Sequence, residues 1–228
     1  MKKRFFMVLA LASFGLNAQT NTELTKHFEA YYKQMKEHGD VQGVINALTH
    51  LDVLKPTQSR KDTLAYIYVS EGRYMEALNT IGIDKNQNDS NLNTEVKAIA
   101  LKAINQPQRA LEHYEVLFAK EPNPYLAYEI ADLKMQVQDL AGAKTSVEYG
   151  LANATDDMKR TYYESQPPYQ ASLKAGFLYL KGILVFNENK DENVESALAL
   201  LNHALVVDPS FKLAQLAKDA LLSRQPKS

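Results

Sequence analysis

One small-residue slot returns at a fixed stride and limits the folds open to this chain. Val44, Ala77, Ala110 and Ala143 stand 33 residues apart, and Ala197 repeats the slot after a longer gap. Apolar residues around each slot fall on one helical stripe. Val44 continues to Leu48 and Leu51, Ala77 to Leu78 and Ile81, Ala110 to Tyr114, Leu117 and Phe118, and Ala143 to Val147 and Leu151. A period in this range marks stacked helical units. Each unit is too small to bury its own stripe, so it gains stability from its neighbours.

A first helix precedes each slot. The stripes are Phe28, Tyr31, Tyr32 and Met35; Leu64, Ala65 and Tyr68; Val96, Ala98, Ala100 and Leu101; and Tyr125, Tyr128, Ile130 and Ala131. Turn residues separate the two helices of a unit: Gly39-Asp40, Gly72, Asn105-Gln106-Pro107 and Asp139. Pro56, Pro122 and Pro209 close three units, each twelve residues after its small slot. Asp84 stands where an apolar residue is expected, so the second helix of the second unit should be short.

The register breaks between Ala143 and Ala197, which are 54 residues apart. The excess includes a stretch from Asp156 to Tyr169 with Tyr162, Tyr163, Pro167, Pro168 and Tyr169. Pro167-Pro168 cannot sit inside a regular helix. The tyrosines read as packing over the joint between the fourth and fifth units, and secondarily as a candidate surface. A longer helix, about 170–187, follows with Leu173, Phe177, Leu180, Leu184 and Val185 on one face. The last helix, about 210–223, has Leu213, Leu216, Ala217 and Leu221 on one side, as an end cap requires.

The first residues read differently. Lys2, Lys3 and Arg4 precede an apolar run from Phe5 to Leu16, and Ala18 follows it. This is the pattern of a secretory signal peptide cut after Ala18. The run is shorter than the roughly 20 residues of a membrane span. Its loss leaves 23 basic against 27 acidic residues, so the mature chain is mildly acidic. That balance excludes the basic footprint of a nucleic-acid binder. The chain has no Cys, hence no disulfide framework, thiol nucleophile or thiolate metal site. The expected destination is the periplasm of a Gram-negative bacterium, with secretion as the alternative.

The expected organisation is a signal peptide at 1–18, a flexible lead-in at 19–24, four units at 25–157, a Tyr/Pro connector at 158–169, a fifth unit at 170–209 with a lengthened first helix, and a capping helix and tail at 210–228. The fold class is all-α, a solenoid of about five helix–turn–helix repeats.

The units resemble tetratricopeptide repeats. The matching residues are Tyr32, Gly39 and Pro56 in the first; Ala65, Tyr68, Gly72, Tyr74 and Ala77 in the second; and Ala98, Ala110, Tyr114 and Pro122 in the third. Ala131, Leu140 and Ala143 match in the fourth, and Gly182, Ala197 and Pro209 in the fifth. The chain departs from the pattern in having no Trp, in Val44 for Ala, and in Asp89 and Thr155 for the closing Pro.

The resemblance implies a groove lined mainly by first helices that holds a peptide or protein partner. The groove residues would be Lys33, Lys36, Tyr66, Ser70, Glu95, Lys102, Tyr125, Tyr128 and Asp132. The family's clamp for a C-terminal carboxylate uses Asn at slots that here hold Lys33, Tyr66, Ile99 and Asp132, so that clamp is not carried over.

No constellation for chemistry is present. The five histidines lack the helical zinc-hydrolase spacing, and His27 and His38 read as solvated. There is no phosphate loop and no nucleophile elbow. Glu76, Glu112 and Glu195 recur at similar slots and read as solvated helix faces. The expectation is binding without catalysis, cofactor or metal. The rival readings are an assembly or folding chaperone of the periplasm, or a structural subunit of an envelope secretion or motility machine.

Overall fold

The structure, a computed structural model, describes residues 21–86 and 88–224. The signal peptide read at 1–18 lies outside the described residues. The elements are α1 (21–38), α2 (Val41–Leu54), α3 (Gln58–Ser70), α4 (Tyr74–Ile81), α5 (Asn91–Ala103), α6 (Pro107–Lys120), α7 (Pro124–Gln136) and α8 (Leu140–Asn153). There follow β1 (Lys159–Tyr162), β2 (Tyr169–Ser172), α9 (Leu173–Glu188), α10 (Val194–Val207) and α11 (Lys212–Leu222).

Residues 21–24 are a correction to the flexible lead-in: they form the start of the described part of α1. The Thr25 hydroxyl donates to the Asn21 carbonyl at 2.8 Å. Polar side chains on an exposed face do not prevent the helix from reaching this far. α4 has eight residues and stops at Gly82, whose φ of +83° ends the helix.

The 33-residue stride is written into the backbone as well as the side chains. Gly39, Gly72, Asn105 and Gln138 all have positive φ, at 69°, 72°, 58° and 62°. At each, the following N–H donates to the carbonyl five residues back: Asp40 to Met35, Arg73 to Tyr68, Gln106 to Leu101 and Asp139 to Lys134, at 2.7–2.9 Å. This is the double closure that ends a helix with one left-handed residue. Asp40 and Asp139 then cap the next helix, their carboxylates accepting from the Gly43 and Gly142 N–H groups at 2.8 and 2.9 Å. The fifth turn differs. It is longer, and the Asn193 side-chain amide donates to the Val185 carbonyl at 2.9 Å.

The small slots sit at tight helix contacts. Ala77, Ala110, Ala143 and Ala197 are fully buried, and Val44 is buried at 9% exposure. Pro56, Pro122 and Pro209 are exposed, between the end of one helix and the start of the next.

Packing divides the described residues into two compact units, which part between Ala100 and Leu101. In the first, Val44, Ile45, Leu48 and Leu64 form one small cluster, and Ala65, Ala77 and Val96 another. Lys97 is also buried there. Its ammonium bonds Asp89 at 2.6 Å and the Asp84 carbonyl at 2.8 Å. The second unit holds a core that joins α7, α8 and α9 through Tyr128, Ala131, Ala143, Val147, Phe177 and Leu180.

The connector read at 158–169 carries strand structure. β1 and β2 pair antiparallel, Arg160 opposite Ala171 and Tyr162 opposite Tyr169. Residues 170–172, read as helix, complete β2, and α9 begins at Leu173. Short alternating stretches on either side of Pro167-Pro168 account for this. Tyr162 and Ala171 are buried, while Lys159 and Gln170 are exposed. The Ser172 N–H turns away from β1 and donates to an Asp208 carboxylate oxygen at 2.7 Å, tying the hairpin to the end of α10.

Candidate functional site

The second unit contains a cleft of about 370 Å³ lined by α7, β1, α9 and α11. Helical spacing on α7 presents Tyr128, Asp132, Met135 and Gln136 to it. Strand alternation on β1 adds Arg160 and Tyr162. α9 gives Tyr179, Leu180, Ile183 and Asn187, and α11 gives Leu213.

Gly176 makes this assembly possible. A Cβ there would lie 2.5 Å from the Tyr162 hydroxyl and 3.0 Å from Tyr128 Cε2, so only glycine lets α9 approach the tyrosine pair.

Two cations and two carboxylates brace the wall. Lys102 bonds Glu129 at 2.6 Å and Asp132 at 2.7 Å, and Arg160 bonds the other Glu129 oxygen at 2.7 Å. Gln136 donates to Asp132 at 3.2 Å. The Arg160 guanidinium lies 4.4 Å from the Tyr128 ring centre and 5.1 Å from that of Tyr162. Such placement over aromatic faces adds cation–π attraction to the ion pair. The Tyr162 hydroxyl donates to that of Tyr128 at 3.3 Å, and Tyr162 also packs on Phe211 and Tyr169.

The electrostatics follow from burial and pairing. Burial by itself would raise the Glu129 carboxyl, but Lys102 and Arg160 outweigh it and hold the group below its ordinary range. Burial by itself would lower Lys102, and Glu129 and Asp132 reverse that, raising it. Burial pushes Tyr128 well above the usual phenol value, and Tyr162 and Tyr179 up to about 12. Glu129 and Lys102 are therefore each held in the charged form, and the three phenols stay neutral over the ordinary pH range.

Among the groove residues expected from sequence, the structure brings Lys102, Tyr128 and Asp132 together. Tyr128 is buried and contributes a wall rather than an open surface. Tyr125, one turn earlier, is 46% exposed and does not line the cleft. Lys33, Lys36, Tyr66, Ser70 and Glu95 are exposed in the first unit. Lys33 pairs with Glu37 on its own helix at 3.9 Å, and the Ser70 hydroxyl donates to its own helix's carbonyls at 3.0 Å.

Sequence reasoning missed Arg160, Glu129, Tyr179 and Asn187. Arg160 could have been found by its alternation with Tyr162, had the insertion been read with a strand's period. His27 and His38 are exposed. Among the described residues no group of three or more His, Asp or Glu is placed to hold a metal ion. Among them, too, no helix is long and apolar enough to cross a membrane.

No protein-family model matches the sequence, and no curated protein does. Solved structures do match. One is a tetratricopeptide repeat protein from Parabacteroides merdae, 15% identical, with a TM-score of 0.63 over 86% of this chain and 72% of that one. A second is YrrB, described as a tetratricopeptide repeat protein with an unusual peptide-binding site, 14% identical, TM-score 0.65, over 90% of this chain and 97% of that one. A third is MamA of Desulfovibrio magneticus, 13% identical, TM-score 0.61, over 82% of this chain and 96% of that one. The chain has the fold of the tetratricopeptide repeat proteins, an all-α solenoid of helical repeats, here with a β-hairpin inserted before its last helix pair.

Proposed function

We propose that this protein is a non-enzymatic interaction scaffold of the bacterial envelope, holding a segment of a partner protein in the cleft of its second unit. The cleft's construction carries the reading: tyrosine and aliphatic walls around a space of about 370 Å³, held by an ion cluster of which Asp132 and Arg160 are part of the lining. A preformed wall lowers the ordering cost of a bound segment, so binding energy goes into contact rather than rearrangement. The peptide-binding site described for YrrB supports a similar use of the fold. The envelope location rests on the basic, apolar and small-residue succession of residues 2–18.

The test is a photo-crosslinking amino acid at Ile183, on the cleft wall, in cells of the native host, followed by mass spectrometry. One stoichiometric protein partner supports a scaffold or machine subunit. A spread of unfolded envelope proteins supports a chaperone. Adducts to cytoplasmic proteins alone would refute the envelope location, and absence of Ile183 adducts would refute the cleft.

A further inference from the structure

The charges around the cleft answer one another. Lys102 and Arg160 face Glu129 and Asp132, two of each sign, all within 2.7 Å of a partner. At the hairpin end, the Tyr169 phenol donates to Glu164 and the Lys212 ammonium donates to the Ser165 hydroxyl at 3.3 Å, and neither Glu164 nor Lys212 lines the cleft. A charged ligand group entering here would meet no opposite charge left over, and desolvating an unmatched charge is costly.

What remains unspent is neutral. Among the described residues, neither the Tyr179 hydroxyl nor the Asn187 amide makes a hydrogen bond to the protein, and both line the cleft with Ile183 and Leu213 between polar neighbours.

Resting on the cleft reading above, we infer that the site selects an uncharged protein segment. The segment inserts an aromatic or branched aliphatic side chain beside Tyr179 and Ile183 and presents its backbone to Asn187. Apolar contact supplies the affinity. The single amide and hydroxyl fix orientation, as in other small-ligand pockets.

The test is an array of decapeptides in three matched sets. They differ only at the central position: Phe, Leu or Ile in one, Asp or Glu in the next, Lys or Arg in the last. Hits are remeasured with the full chain by fluorescence anisotropy at low and high salt. The expected result is binding confined to the first set. Its Kd should change less than about twofold with salt, since no net charge is neutralised. Asn187→Leu and Ile183→Asp should each weaken it about tenfold or more, with Asn187→Leu retaining the wild-type melt. Should Ile183→Asp not fold, Asn187→Leu alone decides. Selection of charged peptides, salt-sensitive and lost in these variants, overturns the ligand class and leaves the cleft standing. Binding that ignores both variants, or none to any set, overturns both.

Discussion

Replacing Arg160 with Met should destabilise the protein by about 2–3 kcal/mol near neutral pH, mainly through Glu129. The two groups meet at 2.7 Å with side chains only 24% and 19% exposed. Breaking a fully buried pair by removing one partner costs about 3–5 kcal/mol, and an exposed pair is worth about 0–1. A pair that keeps some solvent contact falls between, nearer the first. Met preserves apolar contact with the Tyr128 and Tyr162 rings but forfeits the cation. Glu129 and Asp132 must then share Lys102, leaving one negative charge in excess.

That excess sets a pH signature. In the wild type, Glu129 is held below its ordinary value of 4.5, so its contribution is present above that value and lost as pH falls through the folded-state value. Without Arg160 the folded-state value rises, and protonation relieves the variant. The penalty measured by urea unfolding, followed by circular dichroism, should therefore be smaller at about pH 4.5 than at about pH 7.5. The double variant Arg160→Met/Glu129→Gln should cost less than the sum of the singles by about 1–2 kcal/mol. Equal penalties at both pH values, together with additive singles, would refute the linkage between hairpin and α7.

Three further expectations can be checked by melts and titration. Gly72→Ala should cost about 1–2 kcal/mol, because its φ of +72° is strained for any Cβ although the space around it is open. Gln138→Gly, at the equivalent left-handed position, should instead stabilise by about 0.5–1 kcal/mol, and the same sign for both changes would contradict the shared turn geometry. Ala110→Trp, at a fully buried helix contact, should cost about 1–3 kcal/mol or more, and Gly150→Ala, whose Cβ would fall 2.0 Å from Phe177 Cζ, should do likewise; unchanged melts would refute the close packing. Burial raises the phenols of Tyr162 and Tyr179 to about 12, so their contribution is present below the ordinary value of 10.0 and lost as pH climbs toward 12. Phenolate absorbance should then show a late group of tyrosines that ionises as helicity falls, and a single early phase would count against their burial.

The repeated part of the fold was legible because its causes are local. A small residue every 33 positions, a turn five residues before it and a closing proline can be read one at a time. Gln138 escaped notice, since glutamine is not a left-handed residue by preference, yet it adopts φ 62° here. The hairpin was hidden for a different reason. Four residues per strand give too short an alternation to stand out, and their partners are set by tertiary contact. The candidate site suffered accordingly. Lys102 and Asp132 follow from helical register on α5 and α7, whereas Arg160 reaches Glu129 across 31 residues of sequence.

The site lies where the period fails, and the local exceptions converge on it. The inserted hairpin delivers Arg160 and Tyr162. The lengthened α9 extends the opposite wall as far as Asn187, in its last turn. Gly176 removes a Cβ that would press on the Tyr162 hydroxyl. A Gly in a helix interior costs roughly 0.5–1 kcal/mol relative to Ala, a cost that packing must offset. Here the offset is contact between α9 and the Tyr128–Tyr162 pair. Gly176→Ala should consequently move the tyrosines before it unfolds the unit. Its diagnostic is an altered near-ultraviolet tyrosine dichroism with far-ultraviolet helicity retained. If both signals stayed at wild-type values, the wall would tolerate a methyl group, and the close approach of α9 would not be what shapes the cleft.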